Sequence, residues 1–160
     1  MKNKLKAVLF DMDGVLFNSM PYHAEAWHQV MKRHGLTLSR EEAYMHEGRT
    51  GAATINIVYQ RELNKEATPE EIKSIYAEKS VLFNSYPEAE RMPGAWELLQ
   101  KIKGEGLTPM VVTGSGQLSL LERLEHNFPG MFKKELMVTA FDVKYGKPNP
   151  EPYLMALAKG

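Results

Sequence analysis

Apolar positions fall into one short continuous run near the start of the chain and then into longer stretches with helical spacing. The run Ala7-Val8-Leu9-Phe10 is rich in strand formers and ends at a turn signal, so it predicts a buried strand from Lys6 to Phe10. Apolar residues three and four positions apart then predict four helices. These begin near Met20, after Ser39, around Ile55 and after Thr68.

From Ala95 onward the pattern alternates between helices and strands. Short apolar runs predict strands at Leu107–Val112 and Leu136–Ala140. The helices predicted around them start at Ala95, Gln117 and Pro150. Alternation of this kind is typical of a parallel sheet with right-handed crossovers.

The two patterns together predict an α/β fold with a Rossmann-like, parallel-sheet core. Residues 1–16 and 92–160 form that core, and residues 17–91 form an all-helical domain inserted after the first strand. Element boundaries read from a sequence are uncertain by two to four residues.

Composition narrows the class of protein without naming a function. The 160 residues carry 20 basic and 20 acidic side chains, so no net field favours a nucleic acid or a membrane surface. The absence of cysteine excludes disulfides and thiolate chemistry and fits a reducing compartment. No stretch has the length of a membrane span or the form of a signal peptide, so we expect a cytoplasmic protein.

The most informative residues are Asp11 and Asp13, which follow the first predicted strand in Asp11-Met12-Asp13-Gly14. Ligands of open α/β sheets bind outside the carboxyl ends of the strands. One carboxylate could attack an electrophile while the other moves a proton, and the pair could hold magnesium. The alternative is a strand that ends in solvated acids and a turn glycine.

Two further turns follow predicted strands. Thr113-Gly114-Ser115-Gly116 lies between a strand and a helix, where main-chain N–H groups and a hydroxyl suit an anion such as phosphate. Lys147, between Gly146 and Pro148, could neutralise a phosphate. The alternatives are a glycine-shaped turn and a solvated loop lysine.

Parallel pairing would bring all three turns to one edge of the sheet. A nucleophilic aspartate, an acid/base aspartate, a threonine hydroxyl and a lysine suffice to move a phosphoryl group through an aspartyl-phosphate.

The sequence here resembles the haloacid dehalogenase superfamily. Phe10 to Ser19 resembles its first motif, Thr113 its second and Lys147 its third. The helical insertion resembles the cap of the β-phosphoglucomutase-like subgroup. Within that subgroup the chain looks most like bacterial inorganic pyrophosphatases.

The resemblance implies a mechanism and a cofactor. Asp11 would attack phosphorus, and Asp13 would protonate the leaving oxygen and then activate water. Thr113, with the N–H groups of Gly114 and Ser115, would bind the phosphoryl oxygens, and Lys147 would balance charge. Mg²⁺ would be held by an Asp11 oxygen and the Asp13 carbonyl. An acid at Asp13 also argues against dehalogenation, since a leaving halide needs no proton.

The cap residues bear on the substrate. By resemblance, His23 on the first cap helix positions a hydroxyl and Asp13. Lys79, on the last cap helix, could hold a distal phosphate. Sugar-phosphate mutases carry an arginine where this chain has Gly51; Arg49 would substitute from a shifted position. Glu47 in the same loop would repel phosphate unless a cation lies between them, so we expect it to reach the magnesium. For His23, Glu47 and Lys79 a structural or solvated role stays open.

The family's fourth motif, which completes the magnesium site, is expected downstream of Lys147, together with a core strand beside the first. We therefore expect the C-terminal part of the core to be absent from this chain, and the chain to fold poorly alone.

Three functions remain. The first is a magnesium-dependent phosphohydrolase with inorganic pyrophosphate as the favoured substrate. The second is a β-phosphoglucomutase-like mutase or a small sugar-phosphate phosphatase. The third is a truncated, non-catalytic phosphate-binding module. All three predict a small phosphorylated partner and neither nucleic acid nor membrane.

Overall fold

Two short parallel strands form the sheet in the computed structural model, which describes residues 4–160. Strand β1 (Ala7–Phe10) pairs with β2 (Thr108–Val111), with Ala7 opposite Thr108 and Phe10 opposite Val111. Both strands therefore end at the same edge of the sheet, and the residues that follow them meet there.

Four helices separate the two strands in sequence. They are α1 (Met20–Arg33), α2 (Arg40–Met45), α3 (Gly51–Leu63) and α4 (Pro69–Ser85). The predicted cap at Ser39 is confirmed, since its side chain accepts a hydrogen bond from the N–H of Glu42. Thr68 and Glu71 form a complete capping box at the start of α4. Local sequence signals thus place the helix starts correctly.

The remaining helices surround β2. Helix α5 (Ala95–Gly104) precedes β2, and helices α6 (Leu118–Asn127) and α7 (Glu151–Lys159) follow it. A single turn of 3₁₀-helix lies at Lys134–Leu136.

The strand predicted at Leu136–Ala140 does not form. Only one residue of this segment pairs with the sheet, through a parallel bridge between Val138 and Val112. On one side of Val138 the chain is in the 3₁₀ turn. On the other, Asp142 accepts hydrogen bonds from the main chain and hydroxyl of Thr139 and folds the chain away. A local side-chain turn has replaced the strand ladder.

Buried apolar residues separate largely by sequence region. One cluster joins α1 to α4 and contains Trp27, Met31, Leu38, Ile55, Val58 and Ile75. A second joins β1, β2, α5 and α6 and contains Phe10, Phe17, Leu99, Val111, Leu124 and Phe128, with Phe83 of α4 reaching into it. We keep the division at residues 17 and 91 as a prediction that these clusters favour. Among the described helices, none is long and apolar enough to span a membrane.

Candidate active site

The ends of β1 and β2 bring Asp11 and Lys147 together. The Nζ atom of Lys147 lies 3.2 Å from Oδ1 of Asp11 and donates to the carbonyl of Val112, at 2.8 Å. The Asp11 carboxylate also accepts a hydrogen bond from the N–H of Met12, at 2.9 Å. The carbonyl at the end of β2 therefore aims the lysine at Asp11, as the shared sheet edge predicts.

Asp13 is buried, and its carboxylate faces α1. Oδ1 accepts hydrogen bonds from the Ser19 hydroxyl at 2.5 Å and from His23 Nε2 at 2.7 Å. Burial by itself would raise the pKa of Asp13. The interactions with His23, Ser19 and Lys79 outweigh burial and hold that pKa below its ordinary value. Asp13 is therefore ionised in this arrangement.

Lys79 of α4 lies behind His23. Its Nζ atom donates to Nδ1 of His23, at 2.7 Å, and to Oε1 of Gln117, at 3.3 Å. This pairing assigns the His23 proton to Nε2, which donates to Asp13. The imidazole also stacks on Phe83, with ring centroids 4.3 Å apart. His23 and Lys79 are thus neither solvated nor merely apolar contacts.

The pKa values of both side chains reflect their burial. Burial lowers the pKa of Lys79 to about 7, although the carboxylates of Asp13 and Glu47 act to raise it. Burial, followed by the charge of Lys79, lowers the pKa of His23 against the opposing effect of Asp13. A chain of polar groups thus runs from α4 through α1 to Asp13.

The turn after β2 departs in one detail from its expected role. The Thr113 hydroxyl oxygen accepts a hydrogen bond from the N–H of Ser115 at 3.0 Å, so that N–H is engaged within the turn. The N–H of Gly114 has no acceptor among the residues that the structure describes. The Thr113 hydroxyl proton and the Gly114 N–H are therefore the donors available to a phosphoryl group.

The loop between α2 and α3 lies directly on this turn and on the lysine. A Cβ atom on Gly114 would overlap the carbonyl oxygen of Gly48, and one on Gly146 would come within 2.7 Å of Thr50 Cγ2. A Cβ atom on Gly48 would lie 3.0 Å from Cδ of Lys147. Gly114 has no room for a side chain because the overlap is with main chain, and Gly48 has a φ of +88°, which favours glycine.

Glu47, in the same loop, faces the carboxylates at the end of β1. Removal of water around its carboxyl group, then the charges of Asp13 and Asp11, raise the pKa of Glu47 to about 9, while Lys147 acts to lower it. The residue as a whole remains exposed at the rim of the pocket. Repulsion of this kind is relieved by a proton or by a cation.

Several of these groups line a half-open pocket with a cavity volume of about 50 Å³. Its lining includes Asp13, His23, Glu47, Arg49, Lys79, Gly114 and Ser115. Within residues 4–160, Arg49 lines this pocket and makes no side-chain hydrogen bond or ion pair. This volume suits a few water molecules, each of which needs roughly 10–15 Å³.

Oxygen donors for magnesium are present but incomplete. Within the described residues, no three His, Asp or Glu side chains are arranged to hold a metal ion. The Asp13 carboxylate is engaged with α1, which leaves the carboxylates of Asp11 and Glu47. The Asp13 main-chain carbonyl accepts no hydrogen bond from any described residue. These hard oxygen donors fit Mg²⁺, with further oxygen ligands or water needed to complete six.

Three residues of this region were not selected from the sequence. Ser19 and Gln117 contact Asp13 and Lys79, and Tyr76 lines the cavity. Helical spacing could have found one of them, because Tyr76 lies three positions before Lys79 on α4 and so shares its face. Ser19 and Gln117 each come directly before a helix, which is the position of an N-cap residue. The sequence pattern therefore gave no separate signal for a role in the site.

Comparison with known proteins identifies the family. The sequence matches the haloacid dehalogenase-like hydrolases over residues 5–159, and the chain belongs to that family. It is 30% identical over 154 residues to hexitol phosphatase A of Escherichia coli (strain K12), covering 95% of this chain and 67% of the relative. It is 29% identical over 156 residues to a phosphorylated carbohydrates phosphatase of Thermotoga maritima, covering 97% and 70%.

Among solved structures, a Bacteroides vulgatus protein provisionally described as a β-phosphoglucomutase superposes with a TM-score of 0.94. It shares 74% sequence identity, and the match covers 98% of this chain and 63% of that protein. The predicted α/β fold is confirmed. The names of these relatives refer to phosphorylated sugars rather than to pyrophosphate. They therefore fit the second function of the sequence analysis, a mutase or phosphatase of sugar phosphates, better than the first.

Proposed function

We propose that this chain carries the nucleophile, the acid/base residue and the cap of a magnesium-dependent phosphohydrolase that works through an aspartyl-phosphate. One observation supports the proposal above the others: Asp11, Lys147 and the turn at Thr113 meet at one sheet edge, with the lysine Nζ 3.2 Å from the Asp11 carboxylate. An ammonium at this distance can offset the charge of an incoming phosphoryl group.

Asp11 is the nucleophile of the proposed reaction. Its carboxylate oxygen forms a bond to phosphorus while the bond from phosphorus to the leaving oxygen breaks. The hydroxyl of Thr113 and the N–H of Gly114 bind the phosphoryl oxygens as charge moves onto them. Lys147 keeps Asp11 oriented through its hydrogen bond to Val112.

Asp13 moves the protons. Held ionised by Ser19 and His23, it is ready to take a proton from the water that cleaves the aspartyl-phosphate. To protonate the leaving oxygen in the first step, Asp13 must first take up a proton. Cap contacts through His23 and Lys79 therefore influence when Asp13 is charged.

Asp11, the Asp13 carbonyl and Glu47 would hold the magnesium ion. Bound there, the ion would neutralise charge on the phosphoryl oxygens. As part of the same proposal the protein works in the cytoplasm, since a chain without cysteine suits a reducing compartment.

The proposed substrate is a small phosphorylated carbohydrate or polyol. This choice rests on the names of the relatives, which include phosphatases of hexitol phosphate and of phosphorylated carbohydrates. The half-open pocket has a volume of only about 50 Å³, so we propose that such a substrate is accommodated when the loop 46–50 moves off the core turns.

Inorganic pyrophosphate is a second candidate, favoured by two features of the pocket. The cavity is small, and Glu47 adds a carboxylate beside Asp11 and Asp13, where a cation-bound, highly charged substrate would be accommodated. In addition, this chain has Gly51 where sugar-phosphate mutases carry an arginine, so position 51 offers no cation to a distal sugar phosphate.

Release of phosphate by the full-length protein in the presence of magnesium tests both candidates. Hexitol phosphate, β-glucose 1-phosphate, pyrophosphate and an aryl phosphate would be compared at matched concentrations. We expect turnover that requires magnesium and disappears in Asp11→Asn, which keeps the side-chain size. A preference for the sugar and hexitol phosphates supports the first candidate, and a strong preference for pyrophosphate supports the second.

Glu105→Gln is a control, because Glu105 is an exposed carboxylate at the end of α5, ahead of β2 and so at the opposite edge of the sheet. Equal loss of activity in Glu105→Gln and Asp11→Asn, or full activity of Asp11→Asn, would contradict the proposed nucleophile.

A further inference from the structure

His46, the residue that follows helix α2, lies in the wall of the pocket directly before Glu47. Its Nε2 atom lies 3.0 Å from Oε2 of Glu42, one helical turn earlier. The other ring nitrogen, Nδ1, is buried and has no hydrogen-bond partner among residues 4–160, where it is the one buried side-chain nitrogen or oxygen in that state. Buried polar atoms are nearly always paired, so this nitrogen needs an explanation.

Glu42 determines which nitrogen of His46 carries the proton. Arg61 of α3 donates from Nη1 to the same Glu42 oxygen, at 2.6 Å. Burial by itself would raise the pKa of Glu42, but the hydrogen bonds from Arg61 and His46 outweigh burial and lower that pKa. An ionised carboxylate only accepts hydrogen bonds, so the proton of the neutral imidazole lies on Nε2. Nδ1 is left with a lone pair that accepts a hydrogen bond and cannot donate one.

The imidazole is held from two helices. Glu42 belongs to α2 and Arg61 to α3, and the Arg61 guanidinium also donates to the main-chain carbonyl of Thr37, ahead of α2. The N–H of His46 is bound to the carbonyls of Glu42 and Ala43 at the end of α2. The direction of the Nδ1 lone pair is therefore set before a ligand binds, which reduces the entropy lost on binding.

The chemistry of Nδ1 restricts the group that can bind to it. Arg49 and Lys79, which line the same pocket, offer N–H donors that suit the anionic oxygens of a phosphate. A lone pair on Nδ1 repels such oxygens and binds a donor instead. In a phosphate ester the donors are the hydroxyl groups of the alcohol that leaves. The pocket thus combines donors for a phosphate with an acceptor for a hydroxyl.

We propose that His46 binds a hydroxyl group of the leaving alcohol through Nδ1 and so favours phosphate esters of polyols and carbohydrates over those of simple alcohols. This inference rests on the proposed phosphohydrolase function. The hydroxyl reaches Nδ1 when the loop 46–50 moves to accommodate the substrate, and it satisfies a nitrogen that the protein leaves unpaired. Selection at this position acts through a hydrogen bond.

Glycerol phosphate and propyl phosphate test the proposal, because both carry three carbons and they differ in their hydroxyl groups. The ratio of kcat/KM for glycerol phosphate to that for propyl phosphate would be measured for the full-length wild type, His46→Gln and His46→Asn. In His46→Gln the amide nitrogen takes the place of Nε2 and donates to Glu42, while no acceptor remains at Nδ1. We expect the ratio to fall on the order of tenfold, the usual effect of losing one hydrogen bond.

His46→Asn separates binding of the substrate from support of the loop. Its side-chain oxygen takes the place of Nδ1, while the contact with Glu42 is lost, so the ratio should stay closer to the wild-type value than in His46→Gln. A residue that only supports α2 would give the reverse order. That reverse order, or one common ratio for all three proteins, would overturn the proposal. His126→Gln, exposed on α6, is the control.

Nitrogen-15 NMR of the imidazole detects the same contact without turnover. In full-length Asp11→Asn, the Nδ1 resonance of His46 is assigned by its absence in a His46→Gln sample. We expect glycerol phosphate to shift this resonance upfield, as a lone pair that accepts a hydrogen bond does, and propyl phosphate to leave it in place. An equal shift with both esters, or no shift with glycerol phosphate, would overturn the proposal. If the wild type hydrolyses neither ester, the proposed function fails, and the Nδ1 resonance still decides the role of His46.

Discussion

The main chain of Gly48, in the loop between α2 and α3, touches Gly114 so closely that a Cβ on Gly114 would overlap the Gly48 carbonyl oxygen. This contact joins the helical insertion to the turn proposed to bind phosphate, without any side chain between them. Residue 114 therefore controls how closely the loop 46–50 can approach the site.

Gly114→Ala should hold that loop away from the turn. We expect kcat/KM for phosphate release to fall on the order of tenfold to a hundredfold, since overpacking costs typically ~1–3 kcal/mol. Gly104→Ala is the control, because a Cβ at Gly104 meets no atom within 4 Å. Normal activity of Gly114→Ala would show that the contact is not needed for turnover.

Lys147→Met should remove the charge beside Asp11 while keeping the length of the side chain. We expect kcat to fall roughly 10²–10³-fold, the usual cost of losing one group that stabilises transition-state charge. Lys144→Met, in an exposed position of the same loop, should have little effect. Steady-state kinetics with saturating magnesium measures both, and similar effects of the two variants would refute a specific role for Lys147.

Lys79 should make stability depend on pH in a defined direction. Its pKa of about 7 in the folded protein lies below the value of about 10.4 for an unfolded chain. Below pH 7 both states are protonated, and the cost of the buried charge is fully present. Between about pH 7 and pH 10 the unfolded state binds more protons, so the free energy of unfolding gains from this group as the pH rises.

Urea unfolding of wild type and Lys79→Met at several pH values isolates that effect. The stability of the wild type relative to Lys79→Met should rise from pH 7 to pH 10. Lys73→Met, exposed on the same helix, should show no such trend relative to the wild type. A difference for Lys79→Met that stays constant with pH would exclude a depressed pKa.

Glu47→Gln should change the need for magnesium, if Glu47 is one of its ligands. We expect the magnesium concentration for half-maximal activity to rise on the order of tenfold, since one charged oxygen ligand is lost. Glu41→Gln, exposed on α2, is the control. An unchanged magnesium dependence and unchanged pyrophosphate turnover would leave Glu47 as a rim residue without a metal role.

The sequence by itself determined the family, the order of the helices and the first two strands, and the residues at the strand ends. Asp11, Thr113 and Lys147 each follow a predicted strand or its remnant, and parallel pairing was enough to place them at one edge. Helix starts at Ser39 and Thr68 were readable because capping is local chemistry. The strand prediction at Leu136–Ala140 was wrong because a turn built on Asp142 competes with strand pairing. The apolar pattern alone does not show which of the two forms.

Only the tertiary structure decided which residues that lie far apart in the sequence meet at the site. The chain from Lys79 through His23 to Asp13 joins residues far apart in sequence, and so do the contacts of Gly48 with Gly114 and of Tyr76 with Gly51. No periodicity encodes such pairs, because they depend on how two apolar clusters orient the helices above the sheet. Burial of Lys79 and repulsion at Glu47 arise only once those surfaces meet, which is why their altered pKa values could not be read from the sequence.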